Sequence, residues 1–272
     1  MIKNSDKTVI ILAITSDIGM YLARRYKSSG WNIVGSYRNK TKDLEEFSSD
    51  ILYPCNIDIE ESRATFIRNI QAQKIRWNVF ISCIGVLSPL TPFFATDFDL
   101  WQSSVSTNSL SQLALLHALY NFRKKGSTNH VVFFAGGAIN KATPDISAYT
   151  IGKIILMKMC ELILCESPDL VPFIIGPGWT KTKIHREAIN SGNISQEKLN
   201  ETLAFLKTNH GTSMEDIYDC IEWMRSQPKE VSGGRNISAV HDPWRDARGQ
   251  ELAKKLKHDT SMFTLRRYDR KK

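Results

Sequence analysis

The chain has no C-x-x-C pair and no histidine cluster at metal-ligand spacing, although it carries five cysteines: Cys55, Cys83, Cys160, Cys165 and Cys220. They are scattered, four of them in apolar segments, and read as core thiols rather than disulfides or ligands, so no metal site is expected. Long apolar runs are missing too. The N-terminal run, residues 9–14, stops at Thr15 and Ser16, too short for a signal peptide. The run after Lys153 is broken by Lys158 and Glu161, which excludes a membrane span. A reducing cytoplasm is the expected setting. Internal repeats and low-complexity linkers are absent, and no basic run interleaved with aromatics crosses the body of the chain, as a nucleic-acid surface would require. Part of the net charge of +8 sits in Arg266, Arg267, Arg270, Lys271 and Lys272, read as a solvated basic tail.

What is present is a core. Apolar residues make up 42% of 272 residues, enough for one large α/β domain. Residues 8–14 (TVIILAI) form a continuous apolar run, as a strand buried on both faces requires. The polar turn Thr15-Ser16-Asp17-Ile18-Gly19 follows, then a helical pattern over residues 20–26, a stop at Gly30 and a second strand over residues 31–37. This is the layout of a dinucleotide-binding βαβ unit. Further strands are expected at residues 51–53, 77–84, 130–134, 171–175 and 236–240, with helices at 60–73, 100–122, 147–165 and 213–225, the last capped by Ser213. The alternation implies a Rossmann-like, doubly wound, mainly parallel sheet between two helical layers, as a single domain. Residues 1–240 form its body and residues 183–210 a polar lid of two short helices broken at Asn190–Asn193. Residues 241–272 form a C-terminal extension ending in the basic tail.

One pair of side chains carries chemistry. Tyr149 and Lys153 lie four residues apart in the helix expected at 147–165, on one face. An ammonium beside a phenol favours the phenolate, against an ordinary tyrosine pKa of about 10. Such a pair suits proton donation to a carbonyl receiving a hydride.

The motifs, taken in order, resemble those of the short-chain dehydrogenase/reductase family over nearly the whole chain to about Val240. That family's T-G-x-x-x-G-x-G aligns with Leu12-Ala13-Ile14-Thr15-Ser16-Asp17-Ile18-Gly19, which keeps the last glycine. Its N-N-A-G aligns with Ser82-Cys83-Ile84-Gly85. Its helical asparagine aligns with Asn108, its Y-x-x-x-K with Tyr149 and Lys153, and its P-G-x-x-x-T with residues 177–182 (PGWTKT). The resemblance implies an NAD(P)-dependent oxidoreductase of the carbonyl reductase/alcohol dehydrogenase type, with Tyr149 as proton donor. It also implies that Lys153 bonds the nicotinamide ribose, Asn108 holds a water in a proton relay, Thr182 contacts the carboxamide, Asn56 stands near the adenine, and Gly85 lets the chain pass the adenosine. Asp17 would cap the first helix, leaving the Ile18 amide and the Thr15 and Ser16 hydroxyls for the cofactor.

The departures bear on mechanism. About a dozen residues before the tyrosine the family carries a serine; here the stretch is Phe134-Ala135-Gly136-Gly137, with no hydroxyl. Three readings stand: another hydroxyl such as Thr143 fills the space, Tyr149 suffices alone, or the protein binds cofactor without turnover and senses or scaffolds. After strand two no acid appears before Asp43, while Arg38 is placed to fork onto a 2′-phosphate, so NADP is expected ahead of NAD. Lys181, Lys183, His185 and Arg186 in the lid suit an anionic small-molecule substrate such as a nucleotide sugar. Residues 176–185 (GPGWTKTKIH) with the ending Leu265-Arg266-Arg267-Tyr268 resemble reductases of bacterial surface-polysaccharide pathways, which implies a substrate of such a pathway. The helices around residues 110–120 and 151–164 are apolar on more than one face, which suggests a homodimer or homotetramer through them.

Overall fold

The structure, a computed structural model, describes residues 7–190, 196–208 and 210–266. Residues 191–193 of the expected lid break and most of the basic tail lie outside the described residues.

Seven strands form one parallel sheet: β1 Thr8–Leu12, β2 Asn32–Tyr37, β3 Ile51–Pro54, β4 Val79–Ser82, β5 Asn129–Phe134, β6 Leu170–Gly176 and β7 Asn236–Ser238. Their spatial order is β3-β2-β1-β4-β5-β6-β7. The winding direction reverses between β1 and β4, which pair directly with Ile10 opposite Phe80. In an open parallel sheet, ligands bind outside the carboxyl ends of the strands at such a switch point.

The helices are α1 Asp17–Ser28, α2 Glu60–Ala72, α3 Phe98–Val105, α4 Ser111–Leu119, α5 Ser147–Glu166, α6 Lys183–Asn190, α7 Gln196–Lys207, α8 Met214–Ser226, α9 Lys229–Ser232 and α10 Asp246–His258. Alternation along each strand sends neighbouring residues into different cores. Val9, Ile11, Val79 and Ile81 pack with Leu22, Tyr26, Ile217, Ile221, Leu252 and Leu256 from α1, α8 and α10. Ile10, Leu12 and Phe80 pack with Phe66, Leu115, Leu116 and Leu156 from α2, α4 and α5. Both faces are therefore covered, which is why these strands read as unbroken apolar runs.

The C-terminal extension joins the first of these cores through Trp244, Leu252 and Leu256. Arg235, only 3% exposed, donates to Leu256 O and Met262 O, and Asn236 N bonds Phe263 O at 2.8 Å. Arg266 and the Leu265 amide bond the Glu161 carboxylate, so the tail begins docked on α5. All five cysteines are free; Cys55, Cys160 and Cys220 are buried, Cys83 is half-buried and Cys165 exposed.

One expected helix differs. The pattern over residues 100–122 is not a single α-helix: α3 and α4 are separated by a π-turn, Ser106–Leu110, that carries Asn108. Single π-turns inside helices concentrate at functional sites. Its cause is tertiary. Asn108 is fully buried, accepting from Val86 N at 3.1 Å and donating to Val86 O at 2.8 Å and Ser104 O at 3.0 Å. Among the described residues, no helix is long and apolar enough to cross a membrane, and no group of three His, Cys, Asp or Glu side chains is placed to hold a metal ion.

Candidate active site

A cleft of about 480 Å³ opens at the carboxyl ends of β1, β2, β4, β5 and β6. Of the residues expected at the site, Thr15, Ser16, Ile18, Arg38, Asn56, Gly85, Tyr149, Lys153 and Thr182 all line it. Asn108 does not; it stands behind the wall, clamped to Val86, with both amide hydrogens engaged within the protein.

The turn after β1 is built differently from expectation. Ser16, not Asp17, caps α1, its hydroxyl accepting from Gly19 N at 3.1 Å. The hydroxyl of Ser16 is thus an N-cap acceptor for one of the free N–H groups of the first turn. Asp17 is the first helical residue, and its carboxylate instead accepts from the backbone N–H of Lys183 at 2.6 Å. Ala13 holds a left-handed φ of 53°, a conformation costly for a residue with a Cβ and natural for glycine. Gly19 is needed for space: a Cβ there would lie 2.5 Å from Ala13 O.

At the mouth of β2, Arg38 is exposed and makes no hydrogen bond or ion pair among the described residues, and Thr41 Oγ1 is buried without a partner. On the other side of the cleft Asn56 closes an Asx turn, its Oδ1 accepting from Asp58 N at 3.2 Å. Asp58 in turn accepts from Thr107 Oγ1 at 2.8 Å and Ser111 Oγ at 3.1 Å, tying the loop after β3 to the π-turn.

Lys153 is 2% exposed, and its Nζ donates to Ile84 O at 2.9 Å. Burial pulls its pKa down to about 8. The ammonium lies 5.5 Å from the centre of the Tyr149 ring. Contrary to expectation, Tyr149 is not shifted toward phenolate; burial pushes its pKa up to about 12. Desolvation of the anion outweighs a cation that is bonded to a carbonyl rather than to the phenol. The phenol therefore holds its proton throughout the neutral range.

Two residues that sequence reasoning passed over shape this pair. Gly136 is overlain by Tyr149: a Cβ there would fall 2.5 Å from Tyr149 Oη and 2.9 Å from Cε1. Gly152, between tyrosine and lysine, lets the π-turn approach, since a Cβ on it would fall 2.5 Å from Asn108 Cβ. A signal for Gly152 existed in Tyr149-Thr150-Ile151-Gly152-Lys153, a glycine inside a helix, where it costs about 1 kcal/mol against alanine. Thr143 does not replace the missing serine hydroxyl; it donates to Lys141 O at 3.5 Å and does not line the cleft.

The lid cations are largely spent within the lid. Lys181 Nζ donates to Leu206 O at 3.2 Å and to Thr208 O, His185 Nε2 bonds Thr180 O at 3.0 Å, and Lys183 Nζ reaches Thr15 O at 3.5 Å. His185 also stacks on Trp179 with ring centres 5.5 Å apart.

Known proteins with this arrangement are numerous and distant. The family model described as enoyl-(acyl carrier protein) reductase matches residues 12–238. A 7beta-hydroxysteroid dehydrogenase of Mediterraneibacter gnavus is 23% identical over 249 residues, covering 86% of this chain and 88% of its own length. Among solved structures, a short-chain dehydrogenase/reductase of Saccharomyces cerevisiae superposes with a TM-score of 0.76 at 17% identity, over 95% of this chain and all of its own. A Shigella flexneri short-chain dehydrogenase complexed with NADP gives a TM-score of 0.70 at 17% identity, over 86% of this chain and 97% of its own. With the family model spanning the sheet from β1 to β7 and Tyr149 and Lys153 together in the cleft at its switch point, the chain belongs to the short-chain dehydrogenase/reductase family of oxidoreductases.

Proposed function

We propose that the protein is an NADP-dependent oxidoreductase that interconverts a carbonyl and an alcohol, with Tyr149 as the proton donor. The observation that carries this reading is the half-buried Tyr149 phenol lining the cleft, with the Lys153 ammonium 5.5 Å from its ring centre. The cleft fits a nicotinamide dinucleotide on the chain's own terms. Its turn after β1 ends in a capped helix N-terminus, Gly85 presents no side chain, and the orphaned Thr41 hydroxyl and unpartnered Arg38 await an anion. Arg38 and Thr41 would take the 2′-phosphate, the Ile18 amide and Thr15 the diphosphate, Asn56 the adenine side, Lys153 the ribose, and Thr182 the carboxamide.

When bound, the dinucleotide supplies or accepts the hydride. Tyr149 Oη keeps its proton until the substrate oxygen gains negative charge and becomes the stronger base, then releases it to that oxygen. Lys153, charged below pH about 8, stabilises the phenolate left behind. Its own place is held by Ile84 O, which in turn depends on the Gly85–Val86 segment clamped by Asn108. With Gly136 where a hydroxyl would stand, Tyr149 is the sole side-chain donor in this account.

The substrate class is a small carbonyl compound or alcohol. The lid cations that favoured an anionic sugar have internal partners, and only Arg186 of that group makes no bond among the described residues, so an anionic sugar has weaker support than it had from sequence. A homodimer or homotetramer through α3, α4 and α5 is part of the reading, supported by exposed Leu100, Leu110 and Ile151 along these helices. Five free thiols suit the reducing cytoplasm.

A crystal structure with NADP tests the assignment: Tyr149 Oη is expected to face the nicotinamide C4. Turnover of ketones and aldehydes with NADPH should fall by about 10²–10⁴ in Tyr149→Phe, the range for loss of a general acid. Gly136 favours one rival, an NADP-binding protein without turnover. A complex in which side chains exclude the nicotinamide from Tyr149 would establish that rival instead.

A further inference from the structure

The first turn of α6 touches the cleft wall at two points, the turn after β1 and the Gly85 segment after β4. After β1, Asp17 Oδ2 accepts from Lys183 N at 2.6 Å, and Lys183 Nζ returns to Thr15 O at 3.5 Å. After β4, Ile184 Cδ1 lies 4.0 Å from the point where a Cβ on Gly85 would sit, a point 3.6 Å from Lys153 Nζ and 3.9 Å from Asn108 Oδ1. Lys183, Ile184, His185 and Glu187 all line the cleft.

Asp17 is free to make this contact because Ser16 caps α1. An anion at the start of α6 satisfies a free N–H and meets the positive end of the helix dipole. The same carboxylate stands on the first residue of α1, at the helix end whose amides suit a diphosphate. The position is glycine in the family pattern, and glycine has no side chain to form either contact.

We infer that Asp17 is a built-in latch that holds α6 closed over the cleft and that a dinucleotide must displace in order to bind. The role toward the dinucleotide rests on the cofactor reading above; the latch itself is internal to the chain. Breaking the bond from Lys183 N to Asp17 frees the first turn of α6, and withdrawal of Ile184 opens the space beside Lys153. Apparent cofactor affinity is then reduced by the fraction of molecules in which the latch is open.

Hydrogen exchange read by mass spectrometry on the full-length, cofactor-free protein tests the latch without any turnover. Asp17→Ala removes the acceptor. Lys183→Pro removes the donor N–H at a first helical position, where proline is tolerated. Lys183→Ala keeps the N–H and loses only the Nζ contact. Amides of residues 184–190 should exchange about tenfold faster or more in Asp17→Ala and Lys183→Pro, the scale of a hydrogen bond to a charged group. They should stay near wild type in Lys183→Ala, with β5 amides unchanged in every variant. NADPH, titrated by its fluorescence, should bind Asp17→Ala about tenfold more tightly than wild type. Unchanged exchange in α6 for both latch variants, or weaker NADPH binding by Asp17→Ala, overturns the inference. If NADPH binds neither wild type nor Asp17→Ala, the cofactor reading fails, while the exchange of α6 still decides whether the latch exists.

Discussion

Tyr149 rests on Gly136: its hydroxyl occupies the space that any side chain at position 136 would need, 2.5 Å from where the Cβ would be. The glycine that removes a hydroxyl from the site is thus also what lets the phenol take its place. Gly136→Ala should cost about 1–3 kcal/mol, as overpacking does, and should move Tyr149 enough to lower turnover. Thermal unfolding and kcat measured side by side check this. A variant as stable and as active as wild type would mean that Tyr149 does not sit against Gly136 in solution.

Gly152 plays the matching part for Asn108. A Cβ on Gly152 would meet Asn108 Cβ in the π-turn at 2.5 Å, with Asn108 C and Val105 O at 3.4 Å. Helix propensity favours alanine here by up to about 1 kcal/mol, but the overlap is with Asn108 Cβ, an atom that no side-chain rotation can move, and costs about 1–3 kcal/mol. Gly152→Ala is therefore expected to be destabilised in a denaturant titration. A rise in the unfolding midpoint would show that α5 and the π-turn have slack between them.

Arg38 has no protein partner among the described residues, so its loss should leave the fold unchanged. A hydrogen-bonded charge pair with a 2′-phosphate is worth about 1.5–3 kcal/mol, about 10- to 100-fold in affinity. Arg38→Ala should weaken NADPH by that factor and leave NADH where it was. Equal weakening of both cofactors, or of neither, removes Arg38 as the discriminating residue.

Lys153 ties stability to pH. Its folded pKa of about 8 lies below the ordinary lysine value of 10.5 because burial disfavours the charge. Below about pH 8 both folded and unfolded chains carry the ammonium, and the folded chain bears the full burial penalty. From there to about pH 10.5 the unfolded chain binds more protons, so stability contributed by this residue rises with pH. The swing is on the order of 3 kcal/mol. Tyr149 acts in the opposite sense above pH 10, because its folded pKa is raised to about 12. Lys153→Met should be more stable than wild type near neutral pH and lose that advantage as pH climbs through this window, read from paired urea titrations. A constant difference across the window would contradict a buried, depressed lysine.

The strands could be read from residues because burial on both faces leaves no polar alternation to confuse the pattern, as in Ile10-Ile11-Leu12. The helix carrying Tyr149 and Lys153 was equally legible, since a spacing of four places two side chains on one helical face whatever surrounds it. The capping of α1 was legible only to within one residue. Ser16 and Asp17 are both good N-caps, and the choice between them depends on where Ala13 turns and on Lys183, which is 166 residues away. The π-turn at Ser106–Leu110 could not be read from spacing along the chain, because its cause is a buried amide bonded to Val86.

What the sequence determined by itself was the family and the order of the main strands and helices, because these follow from local periodicity and short motifs. Tertiary structure decided the state of the site. It set the protonation of Tyr149 through burial, spent Lys181 and His185 inside the lid, turned Asn108 toward Val86, and gave Asp17 a partner on α6. Desolvation and hydrogen bonding depend on which groups meet across the fold, and those meetings are distances in space that spacing along the chain does not encode.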